Sequence, residues 1–103
     1  MKIRWTAEAE RDITAVLAFV ADARPRAAKK LLTDIDRALA RVALFPDSGR
    51  PVPEMEPSGD RPQREVVVAP FRIGYAVAGG EIAVLYVIHG ARAFPPVRRR
   101  EPR

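Results

Sequence analysis

The sequence predicts an α+β fold: an N-terminal strand, an antiparallel helical hairpin, then a three-stranded antiparallel sheet. Three observations carry that reading. Apolar residues recur every three or four positions from Ala9 to Val42, interrupted once, at Arg24-Pro25. Beyond Gln63 the pattern changes to runs rich in Val, Ile, Tyr and Phe. The last two of these runs are separated by Gly79-Gly80, a strong signal for a two-residue hairpin.

Lys2 to Trp5 mixes polar and apolar residues and suits an edge strand. Thr6 offers its hydroxyl as a helix N-cap, and Glu8, Glu10 and Asp12 put negative charge near the positive end of the helix that follows. Ala9, Ile13, Val16, Leu17 and Val20 form its apolar stripe, and it should end near Asp22. Pro25 disfavours helical geometry at Arg24 yet fits the first position of a new helix. The second stripe reads Ala28, Leu31, Leu32, Ile35, Ala38, Leu39 and Val42. So short a connection makes the two helices antiparallel.

Phe45-Pro46-Asp47-Ser48-Gly49 ends the helical pattern, and a loop is expected from there to Gln63, because Pro51, Pro53, Pro57, Pro62 and Gly59 oppose regular hydrogen bonding. Arg64 to Val68, Phe71 to Ala78 and Glu81 to Ile88 then read as three antiparallel strands. Ile82 to Ile88 is apolar at every position, which implies burial on both faces and a central place in the sheet. Regular structure is expected to stop after His89, ahead of Pro95-Pro96.

The 103 residues accommodate one domain, 1–103, with residues 93–103 as a basic C-terminal tail. Hydrophobic residues at 48% and charged residues at 30% fit a globular chain with a real core. The absence of cysteine rules out disulfides and thiolate metal sites and suits a reducing compartment, so the expected location is the cytoplasm. No apolar run approaches the ~20 residues that span a bilayer, and no membrane partner is expected. The net charge is +5. Arg92, Arg98, Arg99, Arg100 and Arg103 stand against Glu101 between Ile82 and the C-terminus, so that segment carries +4 of it. A cluster of this kind attracts polyanions, either nucleic acid or an acidic protein.

One histidine and no cysteine leave no metal-ligand cluster and no Ser/His/Asp arrangement, and no glycine-rich phosphate loop is present, so neither a metal nor a cofactor is expected. The remaining polar residues on the strands and at their ends are Arg64, Glu65, Arg72, Tyr75, Tyr86, His89 and Arg92. Metal-free RNA cleavage needs a base, an acid and cations facing the phosphate. His89 and Glu65 are the candidates for proton transfer, and Arg64, Arg72 and Arg92 for the cations. The structural alternative has Arg64 and Glu65 facing solvent, Arg72 paired with an acid, both tyrosines in the core and His89 closing a strand.

Taken in order, several pieces resemble the RelE/ParE toxin superfamily: Trp5, Ala9, Asp12-Ile13, Val16 and Phe19-Val20; Phe45-Pro46-x-x-Gly49-Arg50-x-Val52; Arg64-Glu65-Val66; Pro70-Phe71-Arg72-Ile73; and His89-Gly90-Ala91-Arg92. The resemblance implies the toxin of a type II toxin-antitoxin system, a helical hairpin packed on an antiparallel sheet. It also implies an antitoxin whose C-terminal segment wraps the toxin and through which alone operator DNA is bound. RelE-like members are similar to ribosome-dependent mRNA endonucleases that use strand lysines and arginines and a tyrosine near the C-terminus. This chain has no lysine after Lys30, and the tyrosine's place falls near Arg98. The resemblance is therefore closer to ParE-like members, which poison DNA gyrase by protein contact without a hydrolytic site; the alternative is an mRNA interferase acting on ribosome and mRNA. An acidic, ParD-like antitoxin is expected to meet Arg50, Arg64, Arg72 and Arg92.

Overall fold

The hydroxyl of Thr6 accepts a hydrogen bond from the Ala9 N–H at 3.2 Å, and the capped helix it begins is the first of two that lie against one sheet. The computed structural model describes residues 1–54 and 63–90. Its elements are β1 (Lys2–Trp5), α1 (Ala7–Ala23), α2 (Pro25–Leu44), β2 (Arg50–Pro51), β3 (Arg64–Val68), β4 (Phe71–Ala78) and β5 (Glu81–His89). Pro25 opens α2 at its first turn, as its fixed φ allows. Arg92 and the basic tail 93–103 lie outside the described residues, as does the 55–62 part of the expected loop.

The sheet order is β1-β5-β4-β3-β2. Among the described residues the sheet has five strands where four were expected, an N-terminal edge strand and three antiparallel ones, and it is mixed. β1 lies parallel to β5, from Lys2 opposite Glu81 to Trp5 opposite Val84; the other pairs are antiparallel. β2 corrects the expectation of an irregular stretch up to Gln63: Arg50 and Pro51 pair with Glu65 and Arg64. Proline is tolerated there because β2 is an edge strand, where a missing N–H removes no ladder bond on the outer side. Between β4 and β5, Gly79 and Gly80 hold φ of 60° and 74°, the left-handed geometry of a tight hairpin turn, and a β-carbon is costly at both.

Both helices pack on one face. Ala9, Leu31, Ile35 and Leu39 meet Phe71, Ile73, Val84 and Val87 in the main core, with Val42, Tyr75 and Ile82 adjoining. Leu32 departs from its expected place in the stripe and is exposed, since the buried row follows Ala28, Leu31, Ile35, Leu39 and Val42. The far face of the sheet is also buried, with Ala83, Leu85, Tyr86 and Ile88 packed beside Val52, so β5 is covered on both sides as its sequence implied.

One irregularity decides which face Tyr86 occupies. Gly74 opposes Tyr86 but Tyr75 opposes Val84, so β5 carries an extra residue, Leu85. Strict alternation would send Tyr86 to the helices with Ile82 and Val84; a bulge of one residue inverts the faces beyond it. Tyr86 and Ile88 therefore belong to the far face, and Val87 to the helix-covered core.

Candidate functional site

The far face gathers polar residues from four strands into one row. Arg50 on β2 opposes Glu65 on β3, Glu65 opposes Gly74 on β4, and Gly74 opposes Tyr86 on β5. Arg72, two residues before Gly74 on β4, points to the same face. Gly74 makes room for the row: a β-carbon there would lie 2.0 Å from the Tyr86 ring, so the ring occupies the space over the glycine.

Glu65 is the centre of the site and is 0% exposed. Arg72 Nε donates to both of its carboxylate oxygens at 3.0 Å. Arg50 Nε donates to Oε1 at 2.8 Å and the Tyr86 hydroxyl to Oε2 at 3.1 Å. A bare carboxylate at such depth would cost several kcal/mol, and paired, hydrogen-bonded cations are what offset it. Arg72 is only 8% exposed, and its outer fork is occupied too: Nη1 and Nη2 donate to the two oxygens of Glu54 at 2.7 and 2.6 Å, the bidentate geometry that suits a guanidinium.

The titration behaviour follows from these contacts. The Glu54 hydrogen bonds, reinforced by Glu65, hold the Arg72 guanidinium above its ordinary value against the opposing effect of burial. Burial first, then the facing charge of Glu65, pushes the Tyr86 phenol well above its ordinary 10.0. Tyr75, on the helix-covered face, is raised by burial. Its hydroxyl donates to the Pro46 carbonyl at 2.7 Å and accepts from the Gly49 N–H at 2.9 Å. That clamp gives the Phe45-Pro46-x-x-Gly49 segment its physical role, because a β-carbon at Gly49 would strike the same hydroxyl at 2.5 Å.

The candidate nuclease residues do not come together. Arg64 opposes Tyr75 whereas His89 opposes Phe71, four residues away along β4, or roughly 13 Å. Arg64 donates to the Gly49 carbonyl at 2.9 Å and lies 3.7 Å from Asp47. His89 sits edge-on to Phe71, ring centres 5.7 Å apart, on the helix-covered face, and Arg72 occupies the opposite face. As a joint nuclease site the candidates are thus corrected: Arg64 lies further along the sheet, and Arg72 and His89 share one end of it on opposite faces, while Arg92 lies outside the described residues. The structural alternative is corrected for Glu65, which is buried, and agrees with the structure for Arg72 and both tyrosines. Sequence reasoning named Arg50 as a binding residue but not its pairing with Glu65, and it missed Glu54 altogether. Their signal was acidic and basic residues two positions either side of Val52, which a prediction of strand β2 would have aligned with Glu65.

Among the described residues no group of three or more His, Cys, Asp and Glu side chains could hold a metal ion. A concavity of about 440 Å³ lies between α1 and the ends of β4 and β5 and is lined by Asp12, Val16, Phe19, Phe71, Val87 and His89, among others. Asp12 accepts the Val87 N–H there at 3.0 Å, taking the place of a strand partner along the stretch of β5 that continues past β1.

The family model described as the ParE toxin of type II toxin-antitoxin system, parDE, matches residues 3–94. The chain belongs to the ParE toxin family. Toxin RelE2 of Caulobacter vibrioides is 30% identical over 92 residues, covering 88% of this chain and 97% of that protein. Y4kP of Sinorhizobium fredii is 31% identical over 98 residues, covering 93% of this chain and 95% of its own length. The fold matches a solved chain of the chromosomal ParDE system from P. aeruginosa with a TM-score of 0.69 at 24% identity, over 86% of this chain and 95% of that one. The RelE/ParE resemblance read from the sequence is thus upheld, and so is the toxin-like α+β fold. This ParE-family chain is the toxin component of a ParDE-type system, and that membership implies an antitoxin partner. Among its described residues no helix is long and apolar enough to cross a membrane.

Proposed function

We propose that this ParE-family toxin arrests growth by inhibiting DNA gyrase through protein contact in the cytoplasm, and that an acidic, ParD-like antitoxin holds it inactive. Operator DNA is reached only through that antitoxin. The observation that favours protein contact over RNA hydrolysis is the engagement of Arg72. A cation serving phosphoryl chemistry must face the reacting phosphate, but this one is held between Glu65 and Glu54, on the face away from His89. Arg50, Arg64, Arg72 and Arg92 are assigned to antitoxin or target binding. Purified toxin added to gyrase should block supercoiling and trap gyrase-dependent DNA cleavage, and equimolar antitoxin should relieve both. Undisturbed supercoiling in the presence of toxin that still arrests growth would reject gyrase as the target.

The alternative reading, a ribosome-dependent mRNA endonuclease using Arg64, Arg72, His89 and Arg92, draws support from the 30% identity to a protein named RelE2. It predicts transcript cleavage on translating ribosomes, mapped by primer extension and lost in Arg72→Lys. Intact transcripts under growth arrest would remove it.

A further inference from the structure

The Arg72 guanidinium has two separately used sides. Its inner side is fixed by the sheet, where Nε and Nη2 meet the buried Glu65 carboxylate at 2.9 to 3.0 Å. Its outer fork is filled by Glu54, which arrives from the segment after β2 and is 37% exposed. Arg50, 52% exposed, stands beside them on Glu65. A preorganised, outward-aimed fork holding a replaceable carboxylate has the form of a binding site with an internal occupant.

We propose that the outer fork of Arg72, with Arg50 next to it, is a receptor for a carboxylate of an acidic peptide, and that Glu54 is its resident competitor. Charge favours this ligand. Among the described residues, with Glu54 withdrawn, Arg50 and Arg72 against Glu65 leave a net charge of +1, which one carboxylate neutralises. A nucleic-acid strand, with a charge on every phosphate, would need a longer row of cations. Exchanging one carboxylate for another conserves both hydrogen bonds, so the outcome turns on concentration. A tethered residue competes at an effective concentration in the millimolar range. An incoming segment wins only by adding contacts of its own, such as a second acid on Arg50. Glu54 therefore screens the site against stray carboxylates and gives way to a partner that engages several points. The proposal names the chemistry by which the acidic partner proposed above would dock, and in the cell it rests on that reading. A synthetic peptide tests it without any toxin activity, while growth arrest scores the toxin reading separately.

The test is fluorescence anisotropy on the full-length chain with a labelled decapeptide alternating glutamate and serine, its glutamine counterpart, and an oligouridylate. If Glu54 occupies the fork about nine-tenths of the time, Glu54→Gln should bind the glutamate peptide roughly tenfold more tightly than the parent, because apparent affinity scales with the vacant fraction. The glutamine peptide should gain nothing, and Arg50→Ala in the Glu54→Gln chain should erase most of the increase. In the Glu54→Gln chain, the Nε–H resonance of Arg72 should move as the glutamate peptide is added, a readout independent of any variant at the buried arginine. Equal affinity of parent and Glu54→Gln for the glutamate peptide, or a static Arg72 resonance, would overturn the proposal. A gain confined to the oligouridylate would overturn it in favour of a phosphate site.

Discussion

The two faces of this sheet are built from the same strands and solve burial in opposite ways. On the side under α1 and α2, Ile35, Ile73, Val84 and Val87 bury aliphatic surface, and the stabilisation is non-directional. On the far side, Glu65, Arg72 and Tyr86 are as deeply buried but depend on angles and partners. Alternation along β3 and β4 makes the contrast unavoidable: Val66 and Ile73 turn to the helices while Glu65 and Arg72 turn away. A hydrophobic face tolerates an imperfect fit with a graded loss. A buried charge cluster fails at once when one member is removed, which makes it expensive to keep for stability alone.

Glu65→Ala should give the largest effect, since it strands Arg72 beside Glu54 without its inner partner; about 3–5 kcal/mol of destabilisation is expected in urea melts. A loss below about 1 kcal/mol would mean the cluster is not the keystone of the far face. Ile35→Ala, fully buried on α2, should cost about 2–5 kcal/mol by the same measurement, as lost transfer energy plus a cavity. The pair sharpens the comparison through coupling: a double-mutant cycle of Glu65→Ala with Arg72→Ala should deviate strongly from additivity, and Ile35→Ala with Arg72→Ala should not. Gly74→Ala should cost about 1–3 kcal/mol, because its β-carbon displaces the Tyr86 ring and lengthens the Tyr86–Glu65 bond.

The smallest effect is confined to alkaline pH. Both tyrosines have phenols raised above the ordinary 10.0 in the folded chain, so their contribution to stability is complete below pH 10. It falls as pH rises from 10 toward the folded values, where the unfolded chain ionises first and the folded chain does not. Absorbance at 295 nm should therefore stay flat through pH 10 in native protein and rise there in urea. A native titration centred at 10 would show that the two hydroxyls are not held as described.

Local chemistry explains why so much of the fold was legible. Thr6, Pro25 and Gly79-Gly80 act within a few residues of themselves, and the start of α1, the break between α1 and α2 and the turn from β4 to β5 follow from them almost to the residue. The site was legible in part: Arg72 stood out as a charge inside a strand, and its acidic partner was anticipated. Glu65 read as solvent-facing because its neighbours Arg64 and Val66 do not reveal which face of β3 is covered.

The sequence by itself determined both helices, the N-terminal strand, β3 to β5, their order and most of the aliphatic core, because periodicity and turn chemistry are local properties. Only the tertiary structure decided that β1 joins beside β5, that two residues around Pro51 extend the opposite edge, and that Leu85 is an extra residue. The physical reason is that strand pairing is non-local and its faces alternate with period two. One inserted residue moves Tyr86 from the helix-covered side to Glu65, and a two-residue pairing brings Arg50 onto the same carboxylate.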